Sequence, residues 1–431
     1  LLGVLCCGIH SSFVISSTMP HILLLPFGSA GDVFPFIWLG RQLLARGHRV
    51  TMITACLFEE HARKAGLDFV ALGDKDEFEA MIRDPRIWKS GIGTKVVFDF
   101  AAKSVEPYLA AIEGCGEVDL MLAPMTAFGA RLAREKHGTP LITVHLQPAV
   151  FLSLHETPLL HPAMRFLRRM PVWFKRLLFA LPNPVDLFAL PTVRRICAEN
   201  GVKPPRSLFR EWWDSPDGVL ALFPEWFAQP QPDWPPNLLQ WTFPLEDLAT
   251  EQPLTPELQT FLAQGEKPVV FTPGSANVQA SRFFAVAAEA VQRLGCRAVF
   301  VTREPKQVPP QLPANILTVE YAAFSTLLKY AAVFVHHGGI GTLSQGLAAG
   351  VPQLIMHMAH DQPDNAERLE RLGAGSGLSV RQFTPERVTQ ELRRLRDEDS
   401  FHNAAAKCAA WIAKTPDAEI LMSWIEDRAK S

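Results

Sequence analysis

Residues 333–367, VFVHHGGIGTLSQGLAAGVPQLIMHMAHDQPDNAE, decide how this chain folds. Residues 333–335 read as a short buried strand. The strand runs into His336 and His337, then Gly338, Gly339, Ile340 and Gly341, and Thr342 opens a helix. Glycines let backbone approach a ligand closely. A helix start offers unpaired N–H groups and a partial positive charge, which suits a diphosphate. Thr342 can add a hydroxyl donor and His337 an imidazole N–H. The pattern is not a dinucleotide fingerprint, because Ser344 stands where the third glycine would fall. It is not a Walker A loop either, because no Gly-Lys-Ser/Thr follows. A tight strand-to-helix turn packed through its glycines is the structural alternative. A second strand is expected over 351–356. Asp361 and Gln362 follow its end, where they can bond to hydroxyls of a ligand. Capping of a helix over 365–372 by Asp361 or Asp364 is compatible with that role.

The same plan occurs twice more. Residues 268–272 (PVVFT) read as a strand, followed by Gly274-Ser275-Ala276, a helix over 280–294 ended by Gly295, and a strand over 297–301. Near the start, 21–26 (HILLLP) read as a strand, followed by Gly28-Ser29-Ala30-Gly31, a helix over 33–46, Gly47, and a strand over 49–54. Further strands are expected at 68–72, 120–123, 141–144 and 317–319. Repeated strand–glycine turn–helix units imply two similar domains. Alternating strands and helices make each a doubly wound α/β domain with ligands at the strand C-termini. The expected fold is therefore α/β, two facing Rossmann-like domains with a cleft between them. The expected boundaries are 19–240 and 257–415, with a linker at 241–256 where prolines are dense. A terminal helix in 416–431 is expected to pack back towards the first domain. Residues 1–18 are apolar and Ser-rich but lack a basic start, and read as sequence upstream of a natural start at Met19 rather than a secretory signal.

Bulk properties narrow the class. A chain of 431 residues with 48% apolar content exceeds one ordinary core. A net charge of -2 with 20% charged residues excludes a disordered chain and argues against a nucleic-acid surface. No apolar run reaches the ~18–20 residues of a spanning helix, so a soluble or peripheral protein is expected. Seven scattered cysteines without a CxxC pair point to a reducing, cytoplasmic setting and away from zinc. Asp74-Lys75-Asp76 is formally a DxD, but it lies far in sequence from the glycine loop, and no metal is expected.

The chain resembles the GT-B glycosyltransferases of the UDP-glycosyltransferase superfamily from residue 19 nearly to the end. The resemblance is carried by His337 to Thr342, by Gly350-Val351-Pro352, by Asp361-Gln362, and by GSAGDVFP from Gly28. It implies that His337, Gly339, Gly341 and Thr342, with Gly274 and Ser275, hold the donor diphosphate, that Asp361 and Gln362 hold the donor sugar, and that Tyr321, Ala322 and Phe324 hold the nucleoside. No cofactor beyond the nucleotide sugar is implied. Four segments, GSAGDVFPFIWLGRQL at 28–43, DPRIW at 84–88, LFPEWFAQPQPDWP at 222–235 and AHDQPDNAERLERLG at 359–373, are similar to the bacterial rhamnosyltransferases of mono-rhamnolipid synthesis. That similarity implies dTDP-L-rhamnose as donor and a 3-(3-hydroxyalkanoyloxy)alkanoate lipid as acceptor.

Inverting transfer needs a base for the acceptor hydroxyl, and Asp32, beside the first glycine turn, is the candidate. A free aspartate has a pKa near 3.9, so burial must raise it for that role. Capping of the following helix is the alternative, and would lower it. Residues 164–190 interleave aromatics with arginines. Phe166, Arg169, Trp173, Phe174 and Leu178 are candidates for the acceptor, and the segment can also rest on the anionic inner-membrane surface. Core helices with solvated basic faces are the alternative. Three other functions fit the sequence: a GT-B enzyme acting on a polyketide, sterol or terpenoid, a non-catalytic donor-binding partner subunit, and an epimerase acting on the sugar nucleotide.

Overall fold

The computed structural model describes residues 19–89, 91–181, 183–245, 254–274 and 280–429, apart from the side chains of residues 82, 162 and 163. Residues 1–18, read above as upstream sequence, lie outside the described residues, as do Ser275 and residues 246–253 of the expected linker.

Thirteen strands are described: β1 His21–Leu24, β2 Arg49–Thr54, β3 Asp68–Ala71, β4 Leu120–Ala123, β5 Leu141–His145, β6 Val219–Ala221, β7 Leu238–Gln240, β8 Val269–Thr272, β9 Ala298–Val301, β10 Ile316–Val319, β11 Val333–His336, β12 Gln353–His357 and β13 Gly375–Ser379. They form two sheets, ordered β3-β2-β1-β4-β5-β6-β7 and β10-β9-β8-β11-β12-β13. Every pairing described is parallel. β1, β4, β8 and β9 are buried along their whole length, as strands covered by helices on both faces must be. The chain is thus α/β with two Rossmann-like domains, and in each the order reverses beside the first strand, β1 or β8.

β6, β7 and β13 have no counterpart among the expected strands. β6 and β7 are three residues each, too short for a periodicity. β13 (GSGLS) carries turn residues, yet it pairs with β12 over five positions. The expected linker opens as packed structure, because Trp241 and Phe243 are buried.

One apolar cluster runs across both domains. It joins Val33 and Phe36 of helix Ala30–Ala45 to Leu343 and Leu347 of helix Ile340–Ala348. Helix Ala418–Ala429 returns to the first domain. There Glu426 accepts from Arg46 Nη2 at 2.8 Å and contacts His48 Nε2 at 2.7 Å, and Arg428 Nε donates to the Asp217 carbonyl at 3.0 Å. Among the described residues no helix is long and apolar enough to cross a membrane.

Candidate active site in the interdomain groove

The two glycine turns meet face to face. A Cβ built on Gly341 would stand 3.8 Å from the Gly31 Cα, so the starts of helices Ile340–Ala348 and Ala30–Ala45 close on one another. Gly339 occupies the cap position of the first with φ -61° and ψ 141°, and no side chain caps it. The first-turn N–H groups of Ile340, Gly341 and Thr342 therefore have no partner within the helix. That is an anion-receiving end.

β11 delivers two histidines to this turn with opposite fates, because side chains alternate along a strand. His336 points inward and is buried. The Gly338 N–H donates to its Nδ1 at 3.0 Å, so the ring proton sits on Nε2, 2.8 Å from Gln353 Oε1. Burial holds the ring neutral, with its pKa pushed down to about 3. His336 thus ties the glycine loop to β12. The sequence reading passed over this role, and the adjacent His-His pair was its only signal. His337 faces the groove. Burial pushes its pKa down to about 4, and its Nδ1 is buried without a partner. Its ring rests on Gly274, where φ is +90° and an added Cβ would come within 2.3 Å of the ring. Only glycine suits both the backbone angle and the space.

Asp32 stands in the first turn of helix Ala30–Ala45, where Ser29 holds the cap position and Asp32 forms the reciprocal half of a capping box, so the capping alternative holds in part. Its Oδ2 accepts from the Ser29 N–H at 2.8 Å and the Ser29 hydroxyl at 3.0 Å. Those bonds favour the charged form. Burial outweighs them and raises the pKa. Asp361 lies on the facing wall. Its Oδ2 accepts from Asn365 Nδ2 at 2.7 Å, and the same amide donates to the Gly338 carbonyl at 2.9 Å. Burial first, then the charge of Asp32, push its pKa up to about 7. A carboxyl raised by burial on each domain, with the charge of Asp32 adding to the rise at Asp361, is the main electrostatic feature of the groove.

The neighbours of Asp361 are committed elsewhere. Gln362 Oε1 accepts from the N–H groups of Met358 (2.8 Å) and Ala359 (3.2 Å), closing its own loop. Asp364 is fully buried, and takes the Leu159 N–H at 2.9 Å, Arg168 Nη2 at 2.8 Å and Arg368 Nε at 2.7 Å. It locks the domains together and is not a helix cap.

On the nucleoside side, Tyr321 is partly exposed under the Arg303 guanidinium, 5.2 Å from the ring centroid. Ala322 is buried. Phe324 stacks towards Phe334 with centroids 5.2 Å apart, so it packs against the core and Tyr321 is the aromatic face presented outward.

On the first domain a recess opens between Phe27, Leu72, Phe78, Phe100 and Tyr108, with Lys103 at its edge. Gly28 belongs to its wall, and a Cβ there would lie 2.4 Å from Asp32 Oδ2. The recess is thus next to the candidate base. Asp74 also lines it, and its carboxylate caps helix Lys75–Arg83 by accepting from Asp76 N at 2.7 Å.

The expected acceptor residues lie elsewhere. Helix Val172–Phe179 is inside out: Lys175 is 2% exposed with its Nζ 3.2 Å from Thr157 Oγ1, while Trp173 is 68% and Leu177 66% exposed. Phe166 and Arg169 are exposed, Phe174 sits edge-on to Trp173, and Leu178 is half-buried. None of them lines the recess beside Asp32. The helix is rolled so that Lys175 faces inward and Trp173 and Leu177 face outward.

Known proteins match the chain along most of its length. Residues 22–153 match the glycosyltransferase family 28 N-terminal domain, and residues 288–426 match the erythromycin biosynthesis protein CIII-like C-terminal domain. O-mycaminosyltylonolide 6-deoxyallosyltransferase of Streptomyces fradiae is 30% identical over 83% of this chain and 85% of its own. The 4'-demethylrebeccamycin synthase of Lentzea aerocolonigenes is 25% identical over 88% and 92%. Among solved structures, the glycotransferase of kitacinnamycin superposes with a TM-score of 0.73 at 22% identity, covering 95% of this chain and 99% of that one. Spinosyn rhamnosyltransferase SpnG, complexed with thymidine diphosphate, gives 0.67 at 18% identity, covering 94% and 100%.

Proposed function

The chain belongs to the GT-B glycosyltransferases, and from that premise we propose that it moves a sugar, with inversion, from a nucleoside diphosphate to a hydroxyl of an apolar acceptor. The observation that carries this reading is the convergence of Asp32, Asp361 and the uncapped helix start at Gly339 on one groove.

Asp32 takes the acceptor hydroxyl proton as the oxygen attacks the anomeric carbon. The bond to the diphosphate oxygen breaks, and the nucleoside diphosphate leaves with the electron pair. First-turn N–H groups of Ile340 to Thr342 and the His337 ring receive the growing charge. Burial raises Asp32 towards the range where a carboxylate is a useful base. Asp361 holds sugar hydroxyls, and Tyr321 sits against the nucleoside.

For the donor we propose dTDP-L-rhamnose, and for the acceptor a 3-(3-hydroxyalkanoyloxy)alkanoate. The four segments quoted above support both. The mostly apolar lining of the recess beside Asp32 supports an apolar group on the acceptor. The outward Trp173 and Leu177, with exposed Arg169 and Arg176 nearby, support a resting place on an anionic membrane. A polyketide acceptor is the second reading, favoured by a relative whose own name gives O-mycaminosyltylonolide.

The test incubates the purified chain with dTDP-L-rhamnose or UDP-glucose, with and without the hydroxyacyl dimer, and identifies products by mass. The proposed product appears with wild type and falls about 10²–10⁴-fold with Asp32→Asn, the usual contribution of a general base. Near-normal turnover by a folded Asp32→Asn protein would remove Asp32 from the mechanism. Sugar transfer to a polyketide but not to the lipid would select the second reading.

A further inference from the structure

The segment 84–88, DPRIW, has no part in the mechanism above, yet it touches the groove. Asp84 accepts from the Arg86 N–H at 2.8 Å and starts a tight turn, Pro85–Trp88. The Ile87 N–H is spent on the Asp84 carbonyl at 3.1 Å. The turn therefore presents the Ile87 carbonyl outward on a stiff mount. His360 Nε2 of the other domain lies 2.9 Å from that oxygen, and the Trp88 ring stands edge-on to the imidazole at 6.1 Å. A carbonyl only accepts, so His360 carries its proton on Nε2 and donates it across the groove.

His360 is also the one non-glycine residue with positive φ among the described residues, at 59°. Side chains other than Gly, Asn, Asp and His seldom adopt that angle. An uncommon backbone angle persists where surrounding contacts over-determine it, and such sites are enriched in function. Here the contacts are explicit. Gln362 Oε1 ties down Met358 and Ala359 on one side, the Ile87 carbonyl holds the His360 ring on the other, and Asp361 is the next residue. Gly93 completes the mount, since a Cβ there would come within 2.0 Å of the Ile87 oxygen.

We propose that His360 is a positioning residue for the donor sugar: its hydrogen bond to the Ile87 carbonyl of the opposite domain anchors the loop that carries Asp361, whose carboxyl Asn365 orients, at the groove. The proposal rests on the reading of Asp361 as the sugar-holding group. Closure of the groove and placement of that carboxyl are then one event.

The test compares His360→Gly, Gly93→Ala, the double variant and Asp361→Asn. Glycine takes φ 59° freely, which offsets part of the lost contacts, so His360→Gly stays folded and melts within a few degrees of wild type. It loses one part-buried hydrogen bond, and its KM for dTDP-L-rhamnose rises about tenfold. Calorimetric affinity for thymidine diphosphate, which lacks the sugar, stays unchanged. A general loss of fold would weaken both ligands. Gly93→Ala displaces the Ile87 oxygen from the other side and gives the same pattern. The double variant is no worse than either single one, because each removes the same bond. An unchanged KM in His360→Gly, or effects that multiply in the double variant, would overturn the proposal. A wild-type donor KM in Asp361→Asn would remove the underlying reading, whatever His360→Gly does. A raised KM there with a normal His360→Gly sinks the clasp alone.

Discussion

Replacing Asp361 by Asn should make the protein more stable at pH 8 and less active, and the structure sets the size of the gain. Burial and the charge of Asp32 lift the Asp361 carboxyl from 3.8 to about 7. Between those values the folded chain keeps a proton that the unfolded chain releases, so stability falls as pH rises. The stabilising contribution is complete below about pH 4 and lost above about pH 7. At about 1.4 kcal/mol per pH unit the ceiling is on the order of 4 kcal/mol. Water reaching the half-buried group brings the measurable share to roughly 2–4 kcal/mol. The asparagine oxygen can still accept from Asn365, so no partner is orphaned. Urea denaturation of wild type and Asp361→Asn at pH 4 and pH 8 measures this. The two should be nearly equal at pH 4, with the variant ahead at pH 8 by that amount. A difference that does not change with pH would refute the account of a carboxyl raised by burial and by the charge of Asp32.

Three other outcomes follow from particular contacts. Gly274→Ala drives a methyl against His337 at a backbone angle of +90°. It should cost about 1–3 kcal/mol of stability and weaken thymidine diphosphate binding severalfold, read by calorimetry. Lys175→Met replaces a buried ammonium whose contact with Thr157 spans 3.2 Å. It should be neutral or stabilising by about 1 kcal/mol in thermal melts, and a loss above about 2 kcal/mol would show that the lysine is better satisfied than its contacts indicate. Trp173→Glu with Leu177→Glu changes exposed side chains and should leave stability within about 1 kcal/mol. It should abolish flotation with anionic vesicles at low salt, and equal flotation would end the membrane reading.

The residues most legible in the sequence were those whose local chemistry is self-contained. The apolar runs at β1, β8 and β11, each followed by a glycine turn and a helix, announce a doubly wound domain wherever they occur. The glycine loop after His337 announces an anion site because its N–H groups need no distant partner. The family resemblance puts Phe324 and Gln362 at a ligand, with ordinary core the alternative for Phe324, yet Phe324 packs on Phe334 and Gln362 closes its own loop. Position after a strand does not determine rotation.

The amino-acid sequence by itself therefore determined the two Rossmann-like domains and the positions of the two glycine turns, because strand and helix periodicity and helix-end chemistry are local. Tertiary structure alone decided which of two adjacent histidines points at the groove, which way helix Val172–Phe179 rolls, and that Asp32 and Asp361 face one another. Those facts depend on groups on different elements, in the case of Asp32 and Asp361 on different domains, sharing a few ångströms of poorly hydrated space. There burial and a neighbouring charge shift a carboxyl by several pH units, and no pattern along the chain records the distance.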